Sequence, residues 1–459
     1  KLSYYNTGAC NKFYYGRTIP LVQMSRKNRE GTNALLYSNN EKERFRFSSY
    51  VSTYQIYKSI TDTKFIEKLE CINFDYFKVN MENINNSIFF GNYEATTFLI
   101  KKAFDNDGWN IGNFHYLALT SKNVTELKDL KKMNVSKKSL DYSITPIHLA
   151  CLNSNVDILN YFLKTGEDIH IKDIKNRGLI HYASVSNTPD NLKYLINNGM
   201  DVREYDIFKK TPLMYAVSAD KIENVKTILN NQNQNLNQKC KEGYSALHYA
   251  VMYDSVKSLK ILLSGFNIDI NLKGKHGKTP IMLAAESGHW PACKLLSDLN
   301  AKLFFKDIFK KSSLIHAVTA GSIEIVSHLL VKGSDYNEQD SSGHNALHYA
   351  CAYGHEDIIE ILLKAGTDIN INSFWNIKPI GTALLKNHFG IVRKLINNSN
   401  INFNSPDNQG KTFIMNAILK FQEENYNLLL GLFSKNLISV NEKDFEGNNL
   451  LHLLANVNI

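Results

Sequence analysis

Fourteen histidines and six cysteines give this chain of 459 residues the raw material for metal binding or nucleophilic catalysis. Their spacing argues against both. Cys10, Cys71, Cys151, Cys240, Cys293 and Cys351 are scattered and form no CxxC pair, as expected of reduced thiols in a cytosolic-type compartment. His115, His148, His181, His248, His348 and His452 recur at one position of a longer phrase, and His289, His355 and His388 at another. Equivalent side chains in stacked helical units stand about 10 Å apart, which zinc–nitrogen bonds of about 2 Å cannot bridge. No Gly-rich phosphate loop, GxSxG elbow or HExxH motif occurs. Glu356-Asp357 and Glu423-Glu424 fall at predicted helix starts, where acidic groups favour the dipole. Cys151 and Cys351 sit inside predicted helices and read as core. No catalytic, metal or cofactor site is assigned, and the chain reads as non-enzymatic.

Composition supports a folded chain. Hydrophobic residues make up 43% and include 24 Tyr and 24 Phe, while charged residues are 21%, close to the globular average. No run of eighteen apolar residues is present, so no membrane span is expected. The net charge of +9 is concentrated at the front: residues 1–50 hold nine basic side chains against three acidic ones, or +6. The chain starts at Lys1 rather than Met, which suggests a processed or partial chain.

The elements behind that front follow a period. A small residue inside a recurring phrase stands at Ala150, Ala183, Ala216, Ala250, Ala284, Ala317, Ala350, Ala383 and Ala417, in steps of 33 or 34 residues. Leu117 and Leu454 extend the series, and Ser87 is the candidate anchor of one more copy upstream. The phrases include Thr145-Pro146-Ile147-His148-Leu149-Ala150, Thr211-Pro212-Leu213-Met214-Tyr215-Ala216 and Asn345-Ala346-Leu347-His348-Tyr349-Ala350. Thr or Ser suits a helix N-cap and Pro suits the first helical position. A glycine break follows at Gly288, Gly321, Gly354 and Gly390, and then an apolar-periodic second helix such as Ile358–Leu363. Gly166, Gly199, Gly265, Gly333 and Gly366 end the second helices. Asp173, Asp206, Asp307, Asp340, Asp407 and Asp444 open the next turn, ten residues before an anchor. Gly243, Gly277, Gly343, Gly410 and Gly447 lie seven before it, where positive φ is expected. Ile315 and Gly381 replace the motif His in two copies, with His316 displaced by one, and Phe374-Trp375 occupies the turn where Asp and Gly are expected.

These phrases resemble the ankyrin repeat, whose signature is T-P-L-H-x-A. The resemblance implies an all-α ankyrin-repeat solenoid of about eleven or twelve helix pairs, since no single pair can bury its apolar face alone. The expected organisation is a basic, aromatic, extended arm at 1–50, a helical cap at 51–85 and the array at 86–459. The last repeat stops after one helix, so the native protein is expected to be longer.

For function, the resemblance implies a protein–protein interaction scaffold, a structural subunit of a larger assembly. The alternative is the targeting array of a larger enzyme (a kinase, poly(ADP-ribose) polymerase or acyltransferase) or of a TRP-type channel. Candidate partner contacts are the turn lysines Lys209, Lys241, Lys275 and Lys310, with Lys210, Lys239, Lys273, Lys278, Lys306 and Lys311 nearby. Tyr244, Phe309 and Phe208 are their aromatic neighbours. Phe374 and Trp375 read either as an exposed hot spot or as packing beneath the neighbouring turn. In the arm, Tyr4, Tyr5, Phe13, Tyr14 and Tyr15 interleave with Lys12, Arg17, Arg26 and Lys27, which suits an acidic surface; a targeting remnant and a strap on the first repeats are the competing readings. The favoured partner is a protein with an acidic surface, such as a cytoskeletal filament. Nucleic acid is disfavoured because Arg is scarce in the turns. The expected location is the cytoplasm, with an organelle matrix left open.

Overall fold

The computed structural model describes residues 81–105, 113–128, 143–231, 235–397, 401–419, 439 and 441–456. The arm expected at 1–50, with Tyr4, Tyr5, Tyr14, Tyr15, Arg17 and Arg26, lies outside the described residues, as does most of the cap expected at 51–85.

The chain divides into two compact units that part between Lys275 and His276. The earlier unit contains α1 (Met81–Phe89), α2 (Tyr93–Asp105), α3 (Asn113–Thr120), α4 (Thr125–Lys128), α5 (Pro146–Ala150), α6 (Val156–Lys164), α7 (Leu179–Ser184), α8 (Asp190–Asn197), α9 (Pro212–Ser218), α10 (Ile222–Leu229), α11 (Ala246–Met252) and α12 (Val256–Leu263). The later unit contains α13 (Pro280–Ser287), α14 (Trp290–Asp298), α15 (Ser313–Ala320), α16 (Ile323–Val331), α17 (Ala346–Tyr353), α18 (Glu356–Lys364), α19 (Pro379–Leu385), α20 (Phe389–Ile396), α21 (Phe413–Leu419) and α22 (Leu450–Asn456). No strand occurs among the described residues. Within each unit first helices pack on first helices and second on second.

The period is a packing period. All nine alanine anchors, from Ala150 to Ala417, have 0% exposure, because a methyl group is all that fits where two first helices pass. The helix starts follow from their caps. Thr145 is extended ahead of Pro146, and the Thr211, Ser312 and Asn345 side chains accept amides of the first turn. The helix ends are closed by the next repeat. Asn191 Nδ2 donates to the carbonyls of Ala150 and Asn153 at 3.1 and 2.6 Å, and Asn224 does the same for Ala183, Ser184 and Ser186. Such carbonyls have no partner within their own helix.

Three expectations need correction. Gly390 lies inside α20, and the break before that helix is Asn387, at φ 62°. The turn holding Phe374-Trp375 keeps its frame in substitute residues. Ser373 stands where Asp is usual and accepts the Ile377 amide, while Asn376 adopts φ 57° in the glycine position. Ser87 is buried and bonds Thr96 of α2 at 3.0 Å, yet α1 is not simply one more stacked copy. It is α2 that packs against α3, while α1 reaches residues of repeats further along.

Candidate protein-binding surfaces

Most turns between repeats are fingers built by one aspartate. Asp206 Oδ1 accepts the amides of Phe208 and Lys210, both at 2.8 Å; Asp307 and Asp340 do the same in their own turns. Positive φ at Lys209, Lys310, Gly343 and Gly410 closes the hairpins. Neighbouring fingers are tied by single backbone bonds. Ile207 donates to Lys175 and Lys241 to Phe208 in the earlier unit. In the later unit Ser341 donates to Phe309 and Phe374 to Ser342. The tips are therefore held in register as a row within each unit.

What stands on the tips is apolar as well as basic. In the later unit Phe374 is 66% and Trp375 52% exposed, and Ile308, Phe309 and Phe445 are exposed on other tips; in the earlier unit Phe208 is exposed. Phe374 does not pack beneath its neighbour. A Cβ on Gly343 would stand 2.6 Å from the Phe374 amide nitrogen and 2.8 Å from its ring, so the absence of a side chain there lets the Phe374 finger close down on it. Beside Trp375, where Gly381 replaces the motif imidazole, a cleft of about 290 Å³ opens between Trp375, Leu385, Phe413 and Lys378.

The basic residues divide into two groups. Lys209, Lys241, Lys273 and Lys310 are exposed, and Lys275 is partly so. Lys278 is not a surface charge: it is buried in an ion pair with Glu286 at 2.7 Å. Lys306 pairs with Glu338 at 3.2 Å. Tyr244 leaves the surface set too, being 2% exposed and wedged against His248 and Tyr249. It sits at the base of its finger, six residues before the anchor, where the chain turns inward.

That inward position carries a pattern the turns alone did not reveal. Arg177, Lys210, Lys278 and Lys311 all stand six before an anchor, and all but Lys278 face a tyrosine that stands one before an anchor. Lys210 Nζ lies 5.0 Å from the Tyr249 ring centroid and Lys311 Nζ 4.5 Å from that of Tyr349. Burial lowers the Lys311 pKa, and Asp340 and Asp307 oppose the shift. The tyrosines reach back to the finger aspartates. Tyr182 donates to Asp173 at 2.8 Å, Tyr215 to Asp206 at 2.7 Å and Tyr349 to Asp340 at 2.6 Å. His316 occupies this position in its own repeat, 3.1 Å from Asp307, which accounts for its displacement from the motif site that Ile315 fills.

The motif histidines are structural. Nδ1 of His148, His181 and His348 accepts the amide of its own cap residue at 3.1, 3.2 and 3.3 Å, and His348 Nε2 faces the Ile377 carbonyl at 3.0 Å. Burial lowers their pKa values to about 4, 3 and 4 respectively. Cys151, Cys240, Cys293 and Cys351 are buried free thiols, and burial pushes Cys293 up to about 12 and Cys151 and Cys351 higher still. Nucleophilic chemistry needs the thiolate. Among the described residues no group of three His, Cys, Asp or Glu side chains gathers as a metal site, and no helix is long and apolar enough to cross a membrane.

Stacked helix pairs joined by fingers define a helical repeat protein. A family model described as ankyrin repeats (three copies) matches residues 147–239, 179–274, 213–307 and 281–373. The chain is an ankyrin-repeat protein. It is similar to a poly [ADP-ribose] polymerase tankyrase of Caenorhabditis elegans, 32% identical over 152 residues, which is 32% of this chain and 6% of that protein. It is 32% identical over 116 residues to the B-cell lymphoma 3 protein homolog of Mus musculus, covering 25% of this chain and 26% of the relative. SH3 and multiple ankyrin repeat domains protein 2 of Homo sapiens is 27% identical over 120 residues, 26% of this chain and 6% of the relative. The chain thus spans a minor part of each relative, and the relative with an enzyme's name matches only in the repeats.

Proposed function

We propose that the chain is a non-catalytic scaffold that binds protein partners through its finger tips, as a structural subunit of a larger assembly. The observation that carries this is the Phe374-Trp375 tip: two aromatic side chains held out by a hydrogen-bonded turn beside an open cleft. Aromatic anchors with little freedom to lose dominate interface energetics. Lys209, Lys241, Lys275, Phe309 and Lys310 give the other tips a basic and aromatic character that suits an acidic partner segment, a cytoskeletal filament among the candidates. The basic arm, with Tyr4, Tyr5, Tyr14, Tyr15, Arg17 and Arg26, would add a second acidic-surface contact. The test is co-purification of a defined partner and its rebinding in purified form. Trp375→Ala should weaken rebinding at unchanged melting temperature; a partner indifferent to Trp375, Phe374 and all the tip lysines would reject the reading.

A second reading is that these repeats are the targeting array of a larger multidomain enzyme or channel. The small share of each relative that the chain covers favours it. Sequencing the full-length transcript decides between them.

A further inference from the structure

Helix α1 lies in the groove between the fingers and the first helices of the earlier unit. Phe89 sits between Tyr182 and Tyr215, at ring-centroid distances of 5.0 and 4.7 Å, with the Arg177 guanidinium 3.9 Å above its ring. One turn back, Asn85 Oδ1 accepts from Arg177 Nη2 at 2.5 Å. Phe90 meets Tyr253 at 5.7 Å, and Lys221 Nζ donates to the Gly91 carbonyl at 2.8 Å. The segment comes so close that a Cβ on Gly91 would stand 2.8 Å from Ala219 Cβ. Asn85, Phe89, Phe90 and Gly91 thus meet side chains from three successive repeats, in the manner of a helical ligand laid across a groove.

The groove is built from the repeat-locked pair of cation and tyrosine. Arg177 is held by Asp173, which also accepts from Tyr182, so the guanidinium face is preset by the repeats and α1 supplies only an aromatic ring and a neutral amide. In the later unit the same positions, Lys311 with Tyr349 and Tyr353, have no such helix over them among the described residues, and Tyr353 is exposed.

We propose that the Arg177–Tyr182–Tyr215 groove is a helix-binding site and that α1 occupies it in cis, as an intramolecular stand-in for a partner helix. The fitting partner carries a carboxylate at one position and a Phe or Tyr four residues later. A carboxylate offers Arg177 a charge-assisted bond that the amide of Asn85 cannot. This rests on the reading that the repeats bind protein segments, but its site is distinct from the finger tips and its test uses the chain's own segment. Failure here leaves the Trp375 test standing.

The experiment measures binding of a labelled peptide of residues 81–92 to the full chain. The native chain should bind weakly, because its groove is open only a fraction of the time. Full chain carrying Asn85→Ala and Phe89→Ala should bind about ten-fold tighter or better. Adding Arg177→Ala to that variant, or Phe89→Ala to the peptide, should abolish binding, and Asn85→Asp in the peptide should strengthen it. Where the double variant melts early, Gly91→Ala, which pushes the hairpin off Ala219, carries the comparison. In the native chain, amides of residues 84–91 should exchange faster than those of α9, reporting local opening. Equal binding to native and opened chains, no binding to an opened chain that melts normally, or equal protection of α1 and α9 overturns the proposal. Weaker binding by the Asp peptide overturns the stated ligand chemistry.

Discussion

The imidazole of His355 lies on Gly321 of the preceding repeat: a Cβ built at Gly321 would stand 2.8 Å from His355 Cε1. Gly321 also caps α15 at φ 70°. His388 repeats the relationship on Gly354, at 2.9 Å and φ 80°. The break glycine of one repeat and the N-cap histidine of the next repeat's second helix are thus one packing unit. Gly321→Ala and Gly354→Ala should each cost roughly 1–3 kcal/mol in denaturant unfolding. In a double-mutant cycle, His355→Ala should recover part of the Gly321→Ala loss; purely additive effects would show that the contact carries nothing.

The alanine anchors face the same limit more severely. Ala250 and Ala350 are fully buried between first helices, with no flexible side-chain end to yield. Leu at either position should destabilise by about 1–3 kcal/mol. An unchanged denaturation midpoint would mean the seam lies elsewhere.

Much of this was legible because it repeats. The anchors, the finger aspartates and the closing glycines recur at fixed steps, and each has a backbone reason visible in one repeat. Tyr182, Tyr215 and Tyr349 recur just as strictly, but their role is to meet an aspartate nine residues back, which only the fold of the turn reveals. Lys210 and Lys311 read as finger charges in the sequence because they adjoin Lys209 and Lys310. One residue further along the hairpin, the chain turns inward and lays them on tyrosine rings. Tyr244 misled for the same reason. The placement of α1 could not be read at all, since nothing in Asn85 or Phe89 announces a partner about ninety residues away (Arg177 to Asn85 spans 92).

Removing the hydroxyl of one tyrosine tests that network. Tyr349→Phe deletes the 2.6 Å bond to Asp340 Oδ2 while Oδ1 keeps its amides from Ser342 and His344. The finger should hold its shape and lose about 1.5–3 kcal/mol, the range for a bond to a charged acceptor. A loss within error would assign the aspartate's stability wholly to its amide bonds.

The exposed tip lysines should act on rates rather than on stability. Lys241 and Lys310 are exposed, and exposed charges steer encounter over about 8 Å at physiological salt. Charge reversal at Lys241, Lys275 and Lys310 should slow association with an acidic partner and flatten its salt dependence, with melting unchanged. Indifference of the association rate to all three leaves them a solubilising role.

Acid should unfold the repeats before the carboxylates titrate. His148, His181 and His348 have their pKa lowered from 6.5 to about 4, 3 and 4, chiefly by burial. Each Nδ1 is already the acceptor for a cap amide, so a proton there would break a bond as well as bury a charge. Above pH 6.5 these imidazoles are neutral in both states and leave stability unaffected. As pH falls below that, the unfolded chain takes up protons that the native chain refuses, and stability declines until the folded values are reached. The slope approaches about 1.4 kcal/mol per pH unit for each imidazole fully protonated only when unfolded. Melting temperature should therefore drop steadily from pH 6.5 towards pH 4.5, ahead of the carboxylate range. His148→Gln with His181→Gln should flatten that decline. A melting temperature that stays level across this window would show that the buried imidazoles accept protons without loss, and that their amide bonds do not fix the tautomer.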